Sequence, residues 1–247
     1  MQFAEFLAGI VAEGGALLDV VGELPDAGVP TCPGWTVADL ARHTGSFHRW
    51  ATTHLRNGAA GEVVAVSVED PVVDDEDLVD WFADGVSELV AELASCGPDL
   101  GCWTFGAPRT ATFWARRMCH ETAVHRVDAQ SVVGVAAPLD PLLAADGIDE
   151  LLTVMVRLAL RAGTTAPGPS LHLHRTDEGD GASEWMVAVA DDGSVAVTHE
   201  HGKGDVAVRG TSSDLLLYLW GRRGPEDPAL EVFGDTAAAA AWGSLAP

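Results

Sequence analysis

Apolar residues recur every three or four positions along the first two thirds of the chain, which is the period of a helix. Phe3, Phe6, Leu7, Ile10, Leu17, Leu18 and Val21 form one such stripe, with Glu5 and Glu13 off it, and predict a first helix. Gly14 and Gly15 weaken its middle, and the Pro/Gly-rich stretch LPDAGVPTCPGW ends it. Thr36 is suited to cap a second helix, with Asp39 in its first turn, that runs to about Asn57–Gly58. A loop, GAAGEVVAVSVEDPVV, follows. The acidic run Asp74 to Asp77 then opens a third helix through Trp81, Val86, Leu89, Val90 and Leu93, stopped by Cys96-Gly97-Pro98. Carboxylates there suit the positive end of the helix dipole. Thr112 to about Val133 predicts a fourth helix, ended by Gly134. A fifth, Pro141 to Leu160, has Pro at its start and Gly163 beyond its end, the expected asymmetry.

The pattern changes after TTAPGP at 164–169. Leu171–His174, Trp185–Val189 and Val195–His199 have strand character, with Asp191-Asp192-Gly193 as a hairpin-type turn, and Asp205–Arg209 is a further strand. Ser213–Trp220 reads as an apolar helix and Asp235–Trp242 as a short Ala-rich one. The predicted fold class is mixed: a helical domain over 1–165, then a small α+β domain over 166–247. No internal repeat is visible.

At 247 residues the chain can bury a core without disulfides. Its net charge of −23, spread over both halves, argues against nucleic acid and anionic membranes as partners. Thirteen of the fourteen basic residues are Arg, with Lys203 the exception, which suits a GC-rich bacterial gene. Cys32, Cys96, Cys102 and Cys119 form no CxxC pair and are expected to be buried apolar residues. The first residues lack a basic leader, and no apolar run reaches the ~18 residues of a membrane span. The expectation is a cytoplasmic protein, monomeric or a weak homodimer.

The fourth predicted helix carries His120-Glu121-Thr122-Ala123-Val124-His125-Arg126. Glu121 and His125, four apart, share a helix face, either as a surface pair or as two ligands of one divalent metal. This is not the HExxH motif: His120 and His125 are five apart, ~140° out of alignment, which sets the protease reading aside. A third ligand could come from His43, His48 or His54. His43 lies on the apolar side of its helix with Leu40 and Phe47, whereas His48, next to Arg49, is expected to be exposed. Cys119, two residues before Glu121, could border such a site. His172 and His174 share a strand face, as do His199 and His201, the latter pair in what reads as a solvated turn. Arg222 and Arg223 follow an apolar helix and could serve its dipole or grip a substrate carboxylate.

Cys32-Pro-Gly-Trp-Thr-Val-Ala-Asp-Leu-Ala-Arg-His43 resembles the PGW(T/S)xxDLxxH segment of the mycothiol-dependent maleylpyruvate isomerase family. His120-Glu121 with His125-Arg126 and Asp128 resembles that family's second metal-binding segment, and Val208–Arg223 with Leu230–Asp235 its C-terminal signature. The resemblance implies a DinB-like four-helix bundle carrying a divalent metal, usually zinc, followed by a small α+β domain. By position it implies His43, Glu121 and His125 as metal ligands and Arg222 as the catalytic residue that holds an anionic substrate or the cofactor. It implies mycothiol as thiol cosubstrate and a small electrophile as the other partner, in cis–trans isomerisation of a maleylpyruvate-like compound or in thiol S-transfer. The alternative is a non-catalytic, metal-containing binding module with a ligand or partner site in its C-terminal domain. Closure of the metal site by a fourth protein ligand, Cys119 or His48, would favour that alternative.

Overall fold

The structure, a computed structural model, describes residues 1–59, 61, 73–134, 136–165, 168, 170–177, 183–190 and 194–245. The expected 58–73 loop, save its ends, and the Asp191–Gly193 turn lie outside the described residues. The chain divides into two compact units, Met1–Ala137 and Pro138–Pro247.

In the first unit, α1 (Phe3–Glu23) buries Phe6, Ile10, Gly14, Leu17 and Val21 and runs unbroken through its two adjacent glycines. Its approach to α4 (Ala111–Gln130) is close: a Cβ added to Gly9 would sit 2.5 Å from Cys119 Sγ. Before α2 (Val37–Asn57), Gly34 turns the chain with φ +88°. Thr36 then caps α2 in a reciprocal box: the Asp39 N–H donates to Thr36 Oγ1 at 3.2 Å, and the Thr36 N–H to Asp39 Oδ2 at 2.8 Å. α3 (Leu78–Cys96) contributes Leu78 and Phe82 to a core shared with Leu17, Val21, Val37 and Leu40.

α4 packs against α1, α2 and α3 and is buried on nearly every side. Yet it carries Arg117, His120, Thr122, His125, Arg126 and Asp128, all buried. Buried polar groups must be paired, so this helix is where chemistry is concentrated. Arg126 is one structural tie: its Nε donates to Glu13 on α1 at 2.6 Å and its Nη1 to Gln130 at 3.0 Å.

In the second unit, Asp140 caps α5 (Pro141–Glu150), whose helix widens into a π-type turn over Leu151–Met155 and resumes as α6 (Val156–Arg161). The expected fifth helix is therefore present but not uniform. It packs against α7 (Ser212–Leu219), and so the division falls before it rather than near residue 165. Hydrophobic spacing shows that a helix buries a face, but not against which partner.

The sheet order is β3–β2–β1–β4–β5, comprising β1 (Ser170–Arg175), β2 (Glu184–Val189), β3 (Val195–Thr198), β4 (Val206–Gly210) and β5 (Glu231–Gly234). β1 and β4 run parallel; the other neighbours are antiparallel. Leu171, Leu173, Trp185, Val187, Val206 and Val208 are buried and line one face, by strand alternation and register. His172, His174 and Glu184 take the opposite face. β5 was not expected: four residues, mostly exposed, are too few to show alternation. α8 (Thr236–Trp242), capped by Asp235, matches its expected position.

Candidate metal centre

Two helices build the site. The turn at Gly34 brings the Trp35 ring to 4.8 Å from that of His43, with Phe47 one turn further along α2 at 4.7 Å. His43 is therefore half-buried between aromatic rings. From α4, Glu121 and His125 point to the same place, as the i,i+4 spacing requires. Glu121 Oε1 lies 3.2 Å from His43 Nε2 and 3.1 Å from His125 Nε2. All three donor atoms fall within 4.8 Å of one another.

Further residues hold these three in place. Arg117, four residues before Glu121, donates from Nη2 to Glu121 Oε2 at 2.5 Å. That occupies one carboxylate oxygen and leaves the other facing both histidines. Asp128 Oδ2 accepts from His125 Nδ1 at 2.9 Å, and Asp128 Oδ1 accepts from the Thr31 hydroxyl at 2.7 Å. The Nδ1–H bond fixes the tautomer that presents Nε2, the usual way a carboxylate orients a ligating histidine. The Cys32 thiol approaches the same carboxylate at 3.5 Å. Cys32, His125 and Asp128 form an alternative donor group, but it would need the His125 nitrogen that Asp128 already engages.

The electrostatics suit a cation. Burial opposes ionisation of Glu121, yet the neighbouring His125 and Arg117, with hydrogen bonds from both histidines, hold its carboxyl well below the usual range. Burial likewise opposes charge on His125. The Glu121 carboxylate, with hydrogen bonds to Asp128, Cys32 and Glu121, nevertheless raises its pKa well above that of an ordinary imidazole. A metal ion binding at Nε2 would have to displace that proton, so its binding there would be pH-dependent. Two imidazoles and a carboxylate are borderline donors suited to zinc. Bonds of ~2.0–2.1 Å to a tetrahedral ion put ligand atoms about 3.3–3.4 Å apart, close to the 3.2 and 3.1 Å that separate Glu121 Oε1 from the two histidine nitrogens. The residues fit the group.

The other expectations resolve differently. His48 is fully buried rather than exposed, because α2 turns that face toward α4. The Thr122 hydroxyl donates to the Met118 carbonyl at 2.6 Å, so His48 Nε2–H donates to Thr122 Oγ1 at 2.8 Å. Burial above all, with Arg49 and His125 adding to it and Glu121 opposing, lowers the His48 pKa to about 4. His54 stacks face to face on Trp114, 5.7 Å between ring centres, in an aromatic nest with Trp50 and Trp103. Cys119 faces Gly9 on α1. Cys32 and Cys96 are half-buried, not core residues. Arg222, in the second unit, donates from Nη1 to the Trp220 carbonyl at 2.7 Å. Arg223 is an ion-pair residue, 3.0 Å from Asp214 and 2.7 Å from Asp227. Sequence reasoning missed Arg117, although its spacing of four from Glu121 was a readable signal.

With this geometry in view, the comparisons with known proteins are decisive for kinship. The family described as Mycothiol maleylpyruvate isomerase N-terminal domain matches residues 7–130, and the MDMPI C-terminal domain matches 143–241. The chain belongs to the mycothiol maleylpyruvate isomerase family. The fold agrees with solved structures. A crystal structure of the mycothiol-dependent maleylpyruvate isomerase aligns with a TM-score of 0.64 at 12% identity, over 94% of this chain and 93% of that one. That of a histidine-to-alanine mutant of mycothiol-dependent maleylpyruvate isomerase aligns at 0.63 and 13%, with the same coverage. No curated protein matches by sequence. A bundle of helices followed by a small α+β region is thus the architecture of the family as well as of this chain.

Proposed function

We propose that this member is a divalent-metal enzyme, with zinc the leading candidate, that uses mycothiol to isomerise a maleylpyruvate-like cis alkene or to transfer the thiol to an electrophile. The observation that carries the reading is the meeting of His43 Nε2, Glu121 Oε1 and His125 Nε2 from two helices. When bound, the ion would hold a low-molecular-weight thiol as its thiolate, a nucleophile whose reversible addition makes a cis double bond rotatable.

The chain's own residues do the rest. Asp128 holds the His125 ring, and Arg117 holds Glu121 while offsetting its charge. Trp35 and Phe47 shield His43 from water. By the family resemblance, Arg222 would hold a substrate or cofactor carboxylate, for which a planar guanidinium fork is suited. The two candidates for a fourth protein ligand that would close a structural site, Cys119 and His48, are turned to Gly9 and to Thr122. Among the described residues no helix is long and apolar enough to cross a membrane, and no disulfide is formed; both suit the cytoplasmic setting proposed here.

The test is metal analysis of purified protein beside variants His43→Ala, Glu121→Ala and His125→Ala, with turnover of maleylpyruvate measured with mycothiol, glutathione and cysteine. Each variant is expected to lose the first-unit metal and the mycothiol-dependent rate together. Full metal content in the variants would overturn the site. Metal present without turnover for any thiol would return the non-catalytic module.

A further inference from the structure

Independently of that reading, we propose a second divalent transition-metal site, formed in the C-terminal unit by His172, His201 and Glu184, with His174 holding the other oxygen of the Glu184 carboxylate. The strand register creates half of it. His174 stands directly opposite Glu184 across the antiparallel β1–β2 pair, and His172 lies two residues along on the same face. His174 Nδ1 is 2.9 Å from Glu184 Oε1, and His172 Nε2 is 3.2 Å from Glu184 Oε2.

The remaining ligand arrives from the segment after β3, and the fold directs it there. His199 is anchored to Asp149 at 2.6 Å, and Asp149 is itself fixed by the Trp185 indole at 2.9 Å. Gly202 lets the backbone lie against β2, since a Cβ there would be 2.8 Å from Met186 Cγ. Between these two points the exposed His201 ring lies over Glu184, its Nδ1 2.9 Å from Glu184 Oε2. The donor atoms of His172, Glu184 and His201 lie within 4.8 Å of one another.

Donor type selects the ion. Two imidazoles and one carboxylate match zinc, nickel or copper, not magnesium or calcium, which demand oxygen ligands. Side-chain exposure rises from 7% at His172 through 16% at Glu184 and 38% at His174 to 81% at His201. The site therefore has a buried floor and an open, histidine-lined entrance. An ion there would pin the 199–204 segment onto β1 and β2.

The experiment strips the protein with a chelator and titrates it with Zn2+, reading stoichiometry by metal analysis and local order by hydrogen exchange. Wild type is expected to bind two equivalents, and a Glu121→Ala/His125→Ala double variant one, with exchange slowed in 199–204. His201→Ala is expected to bind one equivalent fewer than its parent in either background. It is exposed enough to leave the core unaltered, so the wild-type background decides if the double variant does not fold. Equal zinc binding with and without His201, or no slowing in 199–204, overturns the second site. Loss of the equivalent that depends on Glu121 and His125 would speak only to the first-unit centre.

Discussion

Single side chains set the candidate centre's properties. Asp128 touches no ion in the proposed arrangement, but it fixes the nitrogen that His125 presents. Asp128→Asn should weaken zinc binding about 10–100-fold, as measured by chelator competition, while the zinc stoichiometry at saturation is unchanged. His48 gives a pH signature of a different kind. Its folded pKa is about 4, against about 6.5 for an unperturbed histidine. The folded state thus binds fewer protons, so this contribution to stability is fully present above about pH 6.5 and is lost as pH falls toward 4. By pH 5 the loss should reach about 2 kcal/mol, read as a fall in urea-unfolding free energy. His48→Gln keeps a donor toward Thr122 and has no proton to gain, so it should lack this part of the acid sensitivity.

Elements deliver those residues through their ends as much as their faces. α2 begins two residues after Trp35, and its register fixes where His43 stands. Gly34 has φ +88°, with nothing within 4 Å of where a Cβ would project. Substitution by alanine there should cost roughly 1–2 kcal/mol through backbone strain alone, measurable by urea unfolding at neutral pH. The cap at Thr36 and the stops at Gly58 and Gly97 were all legible, because such local chemistry depends on a few neighbouring residues. The π-type turn at Leu151–Met155 was not legible. Nor was β5, since a short, exposed strand owes its existence to the partner it pairs with.

At the scale of the molecule the surface is anionic throughout, with 37 acidic against 14 basic residues. Self-repulsion of this kind weakens the folded state and is screened by salt. Raising ionic strength from 0.01 to 1 M shortens the screening length from about 30 Å to about 3 Å. The urea midpoint at pH 7 should move upward over that range; an unchanged midpoint would mean the charges are already balanced locally. Sequence alone determined what local spacing can carry: the helices, most strands, the caps, the Glu121–His125 pairing along one face of α4, and the family resemblance. It could not decide which helix face meets which. Tertiary packing decided that His48 is buried, that α5 sits with α7, and that His43 meets Glu121 from 78 residues away. Packing also gathered His201 with His172 and His174 around Glu184. Hydrogen bonds and ion pairs between distant segments depend on how the chain closes on itself, and no periodicity in the sequence records that.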